Sequence, residues 1–228
     1  MSENRMVRMI VAGRRGSTPP YPPRFGGGRG GAIRDDHSKP LTFIRALLLI
    51  FASLSVASST HAEDPCVSGL QVGQRPGPYS FVVATGKERG QLTCYVCETA
   101  DKPAVIVFAR TPSKEIGELV SALDKAVADP KNAPLRGWVT FLSNDQPKMD
   151  PQVVDWGKKH AVKVMPLGVF EDEIGPPAYR LNKEADATVL LFVKQKVVAN
   201  FAFRKGELTE KARAEVLKAI PKVVGKKG

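Results

Sequence analysis

The sequence predicts an α/β domain built on a mixed β-sheet with helices on both faces. Three observations carry this. The run AVIVFA (Ala104–Ala109) is apolar at every position, as a central strand buried on both faces requires. Amphipathic segments separate it from the next apolar runs, so helical crossovers join the early strands and these should pair in parallel. Near the C-terminus, ATVLLFV and VVANFAF flank KQK and read as an antiparallel hairpin, which makes the sheet mixed.

The elements follow in order. Turn residues at Pro76, Pro78 and Gly86 bracket a short hairpin or strand pair around Phe81 to Ala84. After AVIVFA, the segment TPSKEIGELVSALDKAVADP places Ile116, Leu119, Val120, Leu123 and Val127 at helical spacing. Thr111 is the expected cap with Pro112 in the first turn, and Pro130 closes the helix. WVTFLS (Trp138 to Ser143) is the second strand. DPQVVDWGKKHAV repeats the pattern of an Asp cap followed by proline and reads as a second helix. MPLGVFED gives a short strand expected at the edge of the pattern, and GPPAYRLN a short helical or irregular crossing. LTEKARAEVLKAI is the closing helix, capped by Thr209, with Pro221 near its end.

Three segments divide the chain. Residues 1–40 are rich in Pro, Gly and Arg and cannot bury a core, which suits a disordered lead or a misassigned start. Residues 41–62 read as a signal peptide: Arg45 is a positive flank and ALLLIFASLSVA a short apolar core. Thr60 and Ala62 then stand at the small-residue positions of a cleavage site. The apolar core is shorter than the roughly twenty residues of a membrane-spanning helix, so contact with a membrane is expected only through the signal peptide. Residues 63–228 form the expected single domain, a length that suits one full hydrophobic core.

The formal charge of +11 divides between these parts. Residues 1–62 hold nine Lys and Arg against three Asp and Glu, leaving +5 for the domain, concentrated in the last helix and the KVVGKKG tail. No basic motif is interleaved with aromatics, so nucleic acid is not an expected partner. No phosphate-binding glycine loop, Ser-His-Asp order or metalloprotease motif is present, and no cofactor is expected.

The residues that carry chemistry are Cys94 and Cys97 in LTCYVCETADKPAVIVFAR. A Cys-x-x-Cys beside an α/β pattern suggests thiol–disulfide exchange. In an exported domain with three cysteines (Cys66, Cys94 and Cys97), two should pair. Three readings stand. In the redox reading Cys94 attacks or is attacked and Cys97 resolves the mixed disulfide, the partner being a protein thiol or disulfide. In the structural reading a Cys94–Cys97 disulfide, or a bridge from Cys66, staples the fold. In the metal reading Cys66, Cys94, Cys97 and His160 form a zinc set, or the cysteines with Met149 or Met165 hold Cu(I). Trp138 and Trp156 read as core residues.

The element order resembles the thioredoxin-like superfamily, in particular its peroxiredoxin and extracytoplasmic thioredoxin branch. GKERGQLTCYVCETADKPAVIVFAR is similar to that branch's glycine turn and loop leading into the first core strand. KKHAVKVMPLGVFED is similar to its helix and following strand, and ADATVLLFVKQKVVANFAF to its hairpin. The CYxC followed by a P-V-x-V-F-x-R-like strand also resembles secreted planctomycete proteins. The resemblance implies a thioredoxin-like mixed sheet and a possible thiol–disulfide oxidoreductase. Its departures are as informative. The family's catalytic cysteine follows the first core strand, where this sequence has RTPSKE, and its cis-proline position holds Ala187. Peroxidase activity of the usual type is therefore not expected. A family-type site would bring Cys94 to the surface beside Thr111 and Ala187.

Overall fold

The computed structural model describes residues 64–225. The lead at 1–40 and the signal peptide at 41–62 lie outside the described residues.

Seven strands form one sheet in the order β2-β1-β5-β4-β3-β6-β7. The central strand β3 (Ala104–Ala109) is buried at every residue. It pairs in parallel with β4 (Arg136–Leu142) and antiparallel with β6 (Ala187–Val193). β5 (Leu167–Phe170) extends the parallel set, and β7 (Lys196–Phe203) closes the hairpin with β6. The strand pair foreseen near Phe81 is β1 (Phe81–Val83) with β2 (Leu92–Thr93). It attaches antiparallel to β5. β5 is therefore interior rather than at the edge, because β1 covers the side that the local sequence left open.

Helix α2 (Lys114–Ala128) links β3 to β4, and α3 (Gln146–Lys159) links β4 to β5. Each step moves to the next strand in the same direction. Right-handed crossovers in one direction put both helices on one face. The closing helices α4 (Glu210–Lys218) and α5 (Pro221–Val224) join them there. Their apolar residues, including Leu119, Leu123, Trp156 and Val216, pack on Val105, Val107, Val139, Phe141 and Val189 of the sheet.

The opposite face has lighter helical cover: helix α1 (Tyr95–Thr99), a 3₁₀ turn at Pro177–Tyr179 and the stretch around Leu70 and Tyr79. Helices do flank both faces, but unequally. Aromatic rings supply the bulk that helices supply on the other side. Tyr79 is the centre, with ring centroids 5.1 Å from Tyr179, 5.5 Å from Phe108 and 5.7 Å from Phe81. Its hydroxyl accepts from Trp138 Nε1 at 2.8 Å and lies 2.9 Å from Thr140 Oγ1. These polar atoms satisfy one another in the interior, and burial pushes the Tyr79 hydroxyl pKa above the ordinary tyrosine value.

Two helix starts differ from the sequence expectation. Ser113, not Thr111, caps α2 by accepting from the Ile116 N–H, so Pro112 precedes the helix. The Thr111 hydroxyl is bonded elsewhere, 2.7 Å from Asp186 Oδ1. α3 begins one turn early, with Asp145 accepting from the Lys148 N–H and Pro147 in the first turn. Asp150 and Pro151 therefore lie inside the helix. Both Asp-x-Pro and Asp-Pro patterns can start a helix, and the apolar spacing that follows fits either.

Candidate functional site

Cys94 and Cys97 form a disulfide, with Cα atoms 5.4 Å apart. Local sequence builds it. Cys94 is the N-cap of α1: its carbonyl accepts from the N–H groups of Cys97 and Glu98, and its Sγ accepts from the Cys97 N–H at 3.3 Å. Thr99 Oγ1 donates back to the Tyr95 carbonyl, the helix stops at Ala100, and Pro103 begins the approach to β3. One turn of helix thus sets the two cysteines on adjacent positions of the same end.

Tyr95 anchors this turn. Its ring is buried, 5.6 Å from Phe81 and 5.7 Å from Trp138 between centroids. Its hydroxyl donates to Glu88 Oε2 at 2.5 Å. Burial first, and the adjacent Glu88 second, raise its pKa above the ordinary value. Arg136 Nη1 donates to the Glu98 carbonyl at 3.1 Å, tying α1 to the start of β4. Anchored in this way, the turn presents the two sulfur-bearing residues unequally: Cys94 is half-buried and Cys97 is exposed. A groove of about 360 Å³ adjoins the exposed one, lined by Cys97, Val96, Gln195 and the 75–78 stretch.

The disulfide lies at the start of β3, whereas Thr111 and Ala187 stand at its far end, where Ala109 pairs with Ala187. A six-residue strand separates the two ends by about 17 Å at 3.3 Å per step. The condition for a family-type site, Cys94 beside Thr111 and Ala187, is therefore not met. The chain places its cysteines in the connection that enters β3, not in the one that leaves it. At the far end Arg110 fills the space. Its guanidinium donates to the carbonyls of Ala185 (2.9 Å), Asn182 (3.1 Å) and Glu173. Only a cleft of about 50 Å³ remains beside Ser113, Asp186 and Ala187.

The residues of the metal reading are not brought together. His160 caps the C-terminus of α3 and packs on Trp156, on the helical face, while Cys94 and Cys97 adjoin the aromatic face. Met165 is buried in the helical-face core and Met149 packs against it. Among the described residues, no three His, Cys, Asp or Glu side chains form a group able to hold a metal ion. Cys66 is half-buried in the N-terminal stretch, outside the disulfide.

Sequence reasoning missed Arg75 and Gln195. Both come to Cys97 from other parts of the chain, and neither sits in a motif. Arg75 Nη2 donates to Gln195 Oε1, which joins the N-terminal stretch to the β6–β7 turn. The Gly73 N–H to Val197 carbonyl bond (2.8 Å) and the Val197 N–H to Gln74 carbonyl bond (2.9 Å) hold that junction in register.

This architecture, a mixed sheet with a central parallel set and a terminal antiparallel hairpin, is a thioredoxin-like fold. Among solved structures it is similar to a protein of Bacteroides thetaiotaomicron provisionally assigned as a protein disulfide isomerase. That match has a TM-score of 0.51 and 15% identity, over 69% of this chain and 93% of that one. An uncharacterized conserved protein of Geobacillus kaustophilus matches with a TM-score of 0.53 and 13% identity, over 71% and 87% of the two chains. A hypothetical protein of Sinorhizobium meliloti matches with a TM-score of 0.51 and 13% identity, over 69% and 88%. No protein-family profile matches the sequence, and no curated protein matches it.

Proposed function

We propose that this is an exported thiol–disulfide exchange protein in which Cys94 and Cys97 are the exchanging pair and a protein thiol or disulfide is the partner. The observation that carries the reading is the Cys94–Cys97 disulfide with its exposed Cys97 at an open groove. A disulfide that reacts must offer one sulfur to an incoming thiolate and give the other a stabilised departure. The Cys97 N–H directed at Cys94 Sγ supplies the second condition. Export rests on the apolar segment within residues 41–62 and on the compartment in which a disulfide persists. No described helix is long and apolar enough to cross a membrane.

A second reading is a thioredoxin-fold binding module in which the disulfide is structural. The observation in its favour is position: the pair lies at the entry to β3, and the strand's length of about 17 Å separates that entry from the end at which thioredoxin-like catalytic cysteines stand. The two readings differ in reduction potential. Titration of the mature protein against glutathione and dithiothreitol, with thiols read by mass, should give a value between roughly −120 and −270 mV for an exchanging pair. The disulfide spans a sequence separation of only 3, worth about 2 kcal/mol of unfolded-chain entropy at most, so reduction of an exchanging pair should lower the melting temperature by no more than several degrees. A potential below about −300 mV together with a large drop in melting temperature would favour the staple.

A further inference from the structure

The two sulfurs of the disulfide are not equivalent, and the surroundings of the exposed one are charged. Cys97 lines the 360 Å³ groove with Arg75, Val96 and Gln195. A second cleft, of about 320 Å³, shares Arg75 and Gln195 with that groove and is also lined by Lys194, Lys196 and Asp101. The two clefts adjoin through Arg75 and Gln195 and make up a two-part depression at the β6–β7 turn. Arg75, Lys194 and Lys196 are exposed. Three cations and one carboxylate line this depression, Glu98 follows Cys97 outside it, and Arg75, the cation that lines the groove with Cys97, is held by its bond to Gln195.

We infer that this depression docks a polypeptide whose cysteines are flanked by Asp or Glu, and that Cys97 is the sulfur it meets first. This rests on the exchange reading above and deepens it. The partner's thiolate attacks Cys97 Sγ, the Cys94–Cys97 bond breaks, and Cys94 leaves as a thiolate that accepts from the Cys97 N–H. The partner's second thiolate then attacks its own sulfur in the mixed disulfide and releases Cys97 as a thiolate. The partner dithiol ends as a disulfide with loss of two electrons, and Cys94 and Cys97 gain them. The protons of the partner thiols pass through solvent to the protein thiolates. The reverse sequence reduces a partner disulfide by the same steps. This order reverses the one suggested by chain position, in which Cys94 comes first. Exposure, not position in the motif, decides which sulfur a partner reaches.

The same cations set the selectivity. Opposite charges raise the encounter rate, and the effect falls with ionic strength. The test uses the oxidised mature protein and three reductants: dithiothreitol, a synthetic dithiol peptide flanked by Asp and Glu, and the same peptide flanked by Lys. At low salt the acidic peptide should react about tenfold faster than the basic one, and added salt should collapse the ratio. Arg75→Glu, and independently the pair Lys194→Glu and Lys196→Glu, should bring the ratio of acidic-peptide to basic-peptide rates, read within each variant, close to one. Rapid alkylation during the reaction should place the peptide on Cys97 and the alkyl label on Cys94. Absence of a peptide preference, retention of it in both variants, or trapping of the peptide on Cys94 overturns the inference while leaving exchange intact. A pair that dithiothreitol does not open removes the exchange reading and this inference together.

Discussion

The ring of Tyr95 lies 5.7 Å from the indole of Trp138, centroid to centroid, and Tyr95 directly follows Cys94 in the chain. Any shift of α1 on opening the disulfide is transmitted to that indole, which is buried and held by its bond to Tyr79. The other tryptophan, Trp156, lies on the opposite face of the sheet against Phe141. Reduction should therefore change the emission of Trp138 and not that of Trp156. Trp156→Phe should keep the redox-dependent fluorescence change and Trp138→Phe should lose it. An unchanged signal in Trp138→Phe would place the reporter elsewhere.

Asp124 is a buried carboxylate in α2 that accepts from three consecutive backbone N–H groups, those of Lys163 (3.1 Å), Val164 (2.8 Å) and Met165 (2.7 Å). It fixes the path from α3 into β5. Asp124→Ala leaves these donors without their acceptor and should cost about 3 kcal/mol or more. For a domain of this size that corresponds to a drop of roughly 6–12 °C in melting temperature. Asp124→Asn keeps one acceptor oxygen and should lose less. Equal losses in both variants, measured by thermal unfolding, would show that the charge rather than the geometry matters.

Gly117 and His160 are packed so closely that a Cβ at position 117 would stand 2.3 Å from the imidazole. Gly117→Ala should destabilise by about 1–3 kcal/mol through overpacking. His160→Ala in the same chain should recover part of the loss, since it removes the clashing ring, and a double-mutant cycle reads the coupling.

The same histidine gives a pH dependence. Burial first, and the nearby Lys159 second, hold its pKa below the ordinary value, against an opposing pull from Glu118. The unfolded chain then binds a proton more readily than the native one. Stability is fully present above the unfolded value of about 6.5 and is lost as pH falls below it towards the lowered native value. Melting temperature should decline below that pH, and His160→Gln should show a shallower decline. Parallel curves for the two proteins would assign the loss to other groups.

Arg110 occupies the end of β3 with bonds to carbonyls of the 173–185 stretch, and the residues that follow are Thr111, Pro112 and Ser113. None of these three can form a sulfenic acid. The protein should not consume hydrogen peroxide at a peroxiredoxin-like rate with a thiol reductant present. Arg110→Ala should destabilise the 173–185 stretch, read as faster amide exchange there, without creating peroxidase activity. Robust turnover of peroxide by the unaltered protein would mean that another sulfur carries out that chemistry.

The sheet was legible in the sequence because its determinants are local. An all-apolar run such as Ala104–Ala109 has no stable place except between two packed faces. The spacing of Ile116, Leu119, Val120 and Leu123 allows one helical face, and Thr209 caps α4 as its position implied. The start points of α2 and α3 were less legible, since Thr111 and Ser113, or Asp145 and Asp150, offer rival caps of similar strength. The tertiary bond from Thr111 to Asp186 decided one of them. Cys94 and Cys97 were visible as a pair because a two-residue spacing lets adjacent positions of one helical turn meet. That the pair enters β3 rather than leaving it was also readable from its place in the chain, whereas which cysteine faces the solvent and which cations stand beside it were not visible. Arg75 and Gln195 reach Cys97 only because the N-terminal stretch pairs with the start of β7 and the β6–β7 hairpin turns back beside α1. Long-range pairing brings together residues that no local pattern links, and the surroundings of the sulfur are set by that pairing.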